Sequence, residues 1–261
     1  MQLQASPLHV MSYNIRYDNP RDGADAWPER REAMVAWLRE QAPDVLALQE
    51  ALRRQLDDLA PLGYQELGVG RDDGRTRGEY AAILYDPRRL EALEQGTFWF
   101  SDTPDVPGSR SWGNNVTRIC TWARFRERGG GHTFYLFNVH LDHESQPSRE
   151  RSVQALLLAI RERRHPADPV IVTGDFNVTP SNPALRAMSP QFLDSYPSRD
   201  SLDGTFNGFR ADTTRGKIDF VFVDRGWAVL RSAILHPLTP AGRQLSDHYP
   251  VSATLRPAPG P

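Results

Sequence analysis

The chain has 261 residues, with 31 Lys and Arg against 33 Asp and Glu and a formal net charge of -2. That balance excludes a protein that grips long duplex DNA through many phosphates, which needs a basic face. A small phosphorylated substrate stays compatible, because a bound cation can supply the local positive charge. The single cysteine, Cys120, excludes an internal disulfide, and its apolar setting reads as core packing.

In chain order, residues 8–14 read as a buried strand. Residues 28–41 form an amphipathic helix with Met34, Val35 and Leu38 inward, bracketed by Pro28 and Pro43. A short strand at 44–49 and a second helix at 51–60 follow. Residues 64–137 are β-rich, with strands expected at 80–86, 96–101, 118–125 and 132–140. The longest helix is expected over 148–164, with Val153, Leu156, Leu157 and Ile160 on its inner stripe; strands at 169–175, 218–224, 228–235 and 248–255 complete the set. No linker or repeat interrupts the chain, so one domain over 1–261 is expected. No basic leader with an apolar stretch stands at the N-terminus, and no apolar run approaches about 18 residues. A cytoplasmic monomer is the expectation, with an exported mature form as the alternative.

Residues suited to metal binding and proton transfer sit at the ends of these apolar runs. Asn14, Glu50, His140 and Asp175 close theirs, with Asn177 just beyond; Asp219 and the pair Asp247 and His248 open theirs. If all face one edge, the two groups of strands run in opposite directions. The sheets are then mixed, and two packed sheets flanked by helices are the natural arrangement.

Glu50, Asp175 and Asp247 offer anionic oxygen, and Asn14 and Asn177 neutral amide groups. Clustered carboxylates repel one another unless a cation joins them, and hard oxygen donors favour Mg²⁺ or Mn²⁺ over Zn²⁺. Asp219 and His248 suit an acid–imidazole pair in which the carboxylate fixes the ring tautomer. His140 suits a hydrogen-bond donor to a phosphate oxygen. Each residue alone has a plain structural reading: Asn14 in a turn, Glu50 as a helix-start acid, His140 as a satisfied buried ring. Eight such residues, gathered at the ends of six apolar runs, together point to one metal-assisted hydrolase.

The ordered segments YNIR (13–16), LQE (48–50), NVHLDH (138–143), GDFN (174–177), KIDFVFV (217–223) and SDHYP (246–250) resemble the endonuclease/exonuclease/phosphatase superfamily from about residue 8 to 256. That superfamily spans DNase I-like nucleases, abasic-site endonucleases, deadenylases, inositol polyphosphate phosphatases and neutral sphingomyelinases. The resemblance implies a four-layer α/β sandwich. It also implies Glu50, Asn14 and Asp247 at a Mg²⁺ ion, with Mn²⁺ as a substitute. Asp175 and Asn177 would position water and phosphate, Asp219 would orient His248, and His140 would contact the scissile group. Whether Asp175 or His248 is the base stays open. Arg16 departs from the abasic-site branch, which carries an acid there.

The substrate is less legible. Arg71, Arg75 and Arg77 line a charged loop; Trp99 reads as a packed hairpin residue, whereas Arg118 and Trp112 are candidates for gripping phosphate and stacking a base. The expectation is a phosphodiesterase acting on nucleotides or on short or single-stranded nucleic acid. The alternative is a phosphomonoesterase, or a lipid or inositol phosphate hydrolase, on the same site; an inactive binding module ranks last.

Overall fold

Strand β1 (Leu8–Asn14) leads to helix α1 (Trp27–Gln41), strand β2 (Val45–Gln49) and helix α2 (Arg53–Leu59). Strands β3 (Gln65–Leu67), β4 (Ile83–Tyr85), β5 (Leu90–Trp99), β6 (Ile119–Glu127) and β7 (Thr133–His140) precede the long helix α3 (Gln146–Arg161). Strand β8 (Val170–Asp175), helix α4 (Pro183–Arg186) and strands β9 (Leu193–Asp194), β10 (Asp219–Val223), β11 (Trp227–Ile234) and β12 (Val251–Pro257) follow. The structure, a computed structural model, describes residues 6–197, 203–210 and 216–259.

Among the described residues these strands form two six-stranded sheets, ordered β11-β12-β1-β2-β4-β3 and β5-β6-β7-β8-β10-β9. Both are mixed, as the placement of the polar strand ends requires. Strands β1 and β2 run parallel, as do β7 and β8, while β12 is antiparallel to β1 and β10 antiparallel to β8. The C-terminal ends of the first four thus share an edge with the N-terminal ends of β10 and β12.

The period of two along each strand sorts the layers. Leu8, Val10, Leu136, Ile171, Val221 and Val251 meet in a core between the sheets. Their alternates face outward. Met11, Tyr13 and Leu48 pack under α1 and α2, and Tyr135, Phe137, Val172 and Phe222 pack under α3. Helices therefore cover both outer faces, giving four layers.

The same parity carries polar side chains into the inter-sheet layer towards the shared edge. Ser12, Gln49, Asn138 and Thr173 are all buried there. Gln49 Nε2 donates to Asn138 Oδ1 at 2.7 Å across the two sheets, and Thr173 Oγ1 donates to the same oxygen at 3.2 Å. Asn138 Nδ2 in turn donates to Leu48 O at 2.9 Å. This band ties the sheets together where the apolar filling stops. Removing one member strands buried partners, so Asn138→Ala is expected to cost about 2 kcal/mol or more in urea unfolding; a loss under about 1 kcal/mol would show the band to be passive.

The run 90–95, LEALEQ, has the composition of a helix, yet it forms the first half of β5, with Leu90 opposite Glu127 and Gln95 opposite Ala123. Pairing with a neighbouring strand overrides local propensity here. Helix α3 begins two residues before its expected start because Ser145 caps it, accepting from Ser148 N at 3.2 Å.

Candidate active site

One step beyond the polar band, three neighbouring strands place His140, Asp175 and Asp219 in one row. His140 lies opposite Asp175 between β7 and β8, and Asp175 opposite Asp219 between β8 and β10. Gly174 permits this tight crossing, since a Cβ there would be driven into the Val139 carbonyl. Asn14 ends β1 beneath them, fully buried. Its Nδ2 reaches Glu50 Oε1 at 3.1 Å and Asp175 Oδ2 at 3.0 Å, so one amide links the two halves of the site.

The chain turns sharply at the rim. Arg16, Glu50 and Asn177 all adopt the left-handed conformation, with φ of 55, 63 and 52°. Strained backbone of this kind persists where the surroundings over-determine it. Around Glu50 they do: Tyr17 N donates to its second oxygen at 3.1 Å. At Asn177 the backbone N–H donates to Asp175 Oδ1 at 2.8 Å and the side-chain amide to Leu141 O at 3.0 Å.

Asp219 Oδ2 and His248 Nδ1 lie 2.9 Å apart, both residues buried. The opposite ring nitrogen, Nε2, is 3.8 Å from Asp175 Oδ2. His140 Nε2 approaches the same Asp175 oxygen at 3.6 Å, and its Nδ1 stands 3.7 Å from Glu79 Oε2. Asp175 is thus a carboxylate between two imidazoles. The cleft above has a volume of about 850 Å³; Glu50, Asp175, Asn177, Asp247, His140 and His248 line it, with Arg16, Arg71, Glu79, Arg118 and His143 on its walls. Glu50 and Asp247 therefore open into one cleft.

The electrostatics follow from burial and neighbours. Burial, reinforced by the charge of Asp219, raises the Asp175 carboxyl to about 7. Burial raises Asp247 to about 6, with His248 opposing and Glu50 adding to the rise. Burial works against ionisation of Glu50 too, yet His248, Asn14 and Arg16 outweigh it and hold it below the ordinary carboxylate value. His248 sits well above the ordinary imidazole value: burial opposes its charge, but Asp219, Asp175 and Asp247 surround it. Burial, with Arg118 and Arg71 behind it, keeps His140 well below that value and neutral.

Asp175, Asp219 and His248 have ligand atoms within 4.8 Å of one another. Their contacts suit proton transfer better than metal binding, because Asp219 already engages His248 Nδ1. The oxygens open to a cation belong to Glu50 and Asp247, with Asn14 between Glu50 and Asp175. Their donor chemistry fits Mg²⁺ or Mn²⁺: hard carboxylate oxygens, and no thiol, since Cys120 lies in the core. Asn14, expected as a ligand, turns its Nδ2 to Glu50 and Asp175 while its Oδ1 accepts from Arg16 N at 3.0 Å, so it orients the carboxylates.

A family model described as the Endonuclease/Exonuclease/phosphatase family matches residues 11–248, spanning all of these side chains. The chain belongs to that family. Family members are hydrolases of phosphoester bonds. A solved family protein of Bacteroides thetaiotaomicron is 34% identical, with a TM-score of 0.91, over 98% of this chain and 100% of that one. A mannosyl-6-phosphatase of the same organism is 35% identical, with a TM-score of 0.87, over 95% of this chain and 99% of that one. Among curated relatives, an uncharacterised protein of Acanthamoeba polyphaga mimivirus is 30% identical over 58% of this chain, which spans 59% of that protein's length.

The structure brings Asn14, Glu50, His140, Asp175, Asn177, Asp219, Asp247 and His248 together, and Arg118 joins them on the far wall. Trp112 does not reach the cleft. Its indole N–H donates to Asp102 at 2.8 Å, and Arg151 of α3 lies over its ring, so these partners hold it in the loop between β5 and β6. Asp18, the acid two residues past Arg16, does not line the cleft and pairs with Arg54 at 2.6 Å. Trp99 is a packed residue, as expected, donating to Arg71 O at 2.7 Å.

Two residues escaped sequence reasoning. Glu79 lies beside His140, gripped by Arg71 through contacts of 2.6 and 2.7 Å, and burial raises its carboxyl to about 7. It immediately precedes the apolar run 80–86, the same acid-before-strand signal that marks Asp219. The second is His143, which with Asp142 follows His140 in the segment NVHLDH and suits a loop-holding role. Asp142 does hold that loop, accepting from Glu144 N and Ser145 N at 2.9 and 2.6 Å, but His143 lines the cleft and accepts from Arg118 at 2.8 Å.

Proposed function

We propose that this protein is a divalent-metal-dependent phosphomonoesterase that hydrolyses a small, polar organic phosphate, in the class of sugar phosphates. The observation that carries the hydrolytic reading is the buried Asp219–His248 pair beside Asp175, opening into the same cleft as Glu50 and Asp247.

In this reading Glu50 and Asp247, aligned by Asn14, would hold Mg²⁺, and the ion would polarise the phosphoryl group and stabilise the leaving oxygen. Asp175 takes the proton from the attacking water. Its carboxyl at about 7 is matched to neutral pH, and Asn14, Asn177 and both imidazoles orient it. His248, kept charged by Asp219, faces the phosphoryl oxygens as negative charge builds on them. Neutral His140 and the Asn177 side chain position the same group. Water forms the new P–O bond as the bond to the leaving oxygen breaks, with inversion at phosphorus, and that oxygen takes a proton from solvent to leave as the alcohol.

Substrate size supports a small molecule over a polymer. A cleft of about 850 Å³ lies in the range of small-ligand sites, and a net charge of -2 does not favour a long nucleic-acid backbone. The 35% identical mannosyl-6-phosphatase points the same way. A parallel assay with Mg²⁺ decides the matter, comparing hexose phosphates, p-nitrophenyl phosphate, bis-p-nitrophenyl phosphate, inositol phosphates, sphingomyelin and oligonucleotides. Hexose phosphates are expected to give kcat/KM at least about tenfold above the diesters, corresponding to about 1.4 kcal/mol of transition-state discrimination. Preference for oligonucleotides would restore the nuclease reading; no turnover of any phosphoester would end the hydrolase reading.

A further inference from the structure

Arg16 stands in the acidic wall of the cleft with an arrangement of contacts that charge balance alone does not explain. Its Nε lies 3.8 Å from Asp247 Oδ2 and its Nη1 lies 4.0 Å from Glu50 Oε2. Both distances exceed hydrogen-bond reach. The hydrogen bonds of the guanidinium go instead to Asp22, where Nε and Nη2 donate at 2.9 and 3.0 Å. The backbone beneath is pinned as well. Arg16 N donates to Asn14 Oδ1 at 3.0 Å, and Arg16 O accepts from Arg30 Nη2 at 2.8 Å and Gln55 Nε2 at 2.9 Å. The guanidinium also lies over the Tyr17 ring, 4.5 Å from its centroid.

The charge is thus anchored from outside the site. It faces Glu50 and Asp247 without occupying their lone pairs, so those oxygens stay open to one cation. The guanidinium stands 3.8 and 4.0 Å from the two carboxylates, close enough for its charge to repel a second cation from them. An arginine cannot yield the place by losing its proton.

We propose that Arg16 is a built-in cation that fills the space beside Glu50 and Asp247 which a second divalent ion would otherwise take, limiting this site to a single metal ion. The proposal rests on the metal-dependent reading above. It assigns Arg16 a positioning and stoichiometric role: it neutralises the acidic wall and excludes a second ion.

The test is calorimetric titration of Mn²⁺ into the chelator-stripped full chain, with the count of bound ions checked by electron paramagnetic resonance. Wild type is expected to bind one ion in the cleft. Arg16→Met is expected to bind two, because Glu50, Asp247 and the anchoring Asp22 then lose the guanidinium charge beside them. Arg16→Lys, which keeps the charge, is expected to stay at one. The loss of Tm in Arg16→Met should be larger in chelator than in saturating Mn²⁺, whereas a purely structural arginine lowers both equally. If Arg16→Met does not fold, Asp22→Asn, which releases the anchor, is expected to admit a weaker second ion. Two ions in wild type, or one ion in every variant that folds, overturns the proposal while metal dependence stands. No Mn²⁺ binding to wild type removes the metal-dependent reading and this inference with it.

Discussion

Replacing His248 with alanine is expected to lower kcat by about 10²–10⁴-fold, the span typical of a positioned proton-transfer or charge-stabilising group. The ring is buried and held by Asp219 at 2.9 Å, so water cannot replace it at the same place and orientation. Asp219→Asn should lower kcat by about 10²-fold or more through the ring it orients, with KM changing less. The two losses should not add in the double variant, because both act through one imidazole. Asp175→Asn removes the carboxylate while keeping its shape, and is expected to match His248→Ala. The comparison separates roles. If Asp175 is the base, the acidic limb of the pH–rate profile should survive in His248→Ala and vanish in Asp175→Asn. Near-native turnover by His248→Ala, with folding confirmed by circular dichroism, would falsify the assignment of the site.

The row of His140, Asp175 and Asp219 was legible because a strand end is a reliable local signal. Asn14, His140, Asp175 and Asp219 each interrupt an apolar run at its edge, and no burial argument favours a polar group there. Their positions at opposite strand ends also fixed the mixed sheets, since only antiparallel neighbours bring Asp219 and Asp175 into register. What stayed hidden depends on the path of the chain between strands. Trp112 offers an aromatic ring near arginines, but its indole finds a partner ten residues away in the same loop, and sequence carries no measure of that closure. Glu79 and Arg71 form a pair across one loop, and it is the loop's return to the sheet edge that brings Glu79 to His140. Arg16 is visible as a departure from one family branch, whereas its anchoring by Asp22 emerges only from the turn that follows β1. The helical composition of 90–95 misleads for the complementary reason: strand pairing is non-local.

Metal and pH should be linked in a direction set by these acids. Asp175 and Asp247 have native values of about 7 and about 6, above the ordinary 3.8. The folded state therefore holds more protons than the unfolded chain between about pH 4 and 7. For a carboxyl raised in this way, stability is present at low pH and is lost as pH rises through the native value. His248, raised above 6.5, has the same sign, since its favourable charge is lost as pH climbs through its native value. Glu50 and His140 have the opposite sign: Glu50 is largely ionised above pH 5, and His140, held below 6.5, opposes the loss only until the unfolded imidazole is neutral, where the raised groups outnumber it. Metal-free protein is thus expected to lose stability steadily from pH 5 to 8, by roughly 5–10 °C in Tm for a few kcal/mol in a chain of this size. A divalent cation competes with those protons for the same oxygens, so its stabilisation should grow over the same interval. Thermal unfolding at pH 5.5 and 8, in chelator and in saturating Mg²⁺, reads both slopes. Chelation should also abolish turnover at either pH, restored by Mg²⁺ or Mn²⁺. A metal-free Tm that is flat or rises with pH would mean that the acids are paired by something other than one another, and a Mg²⁺ shift of equal size at both values would place the ion away from Glu50 and Asp247.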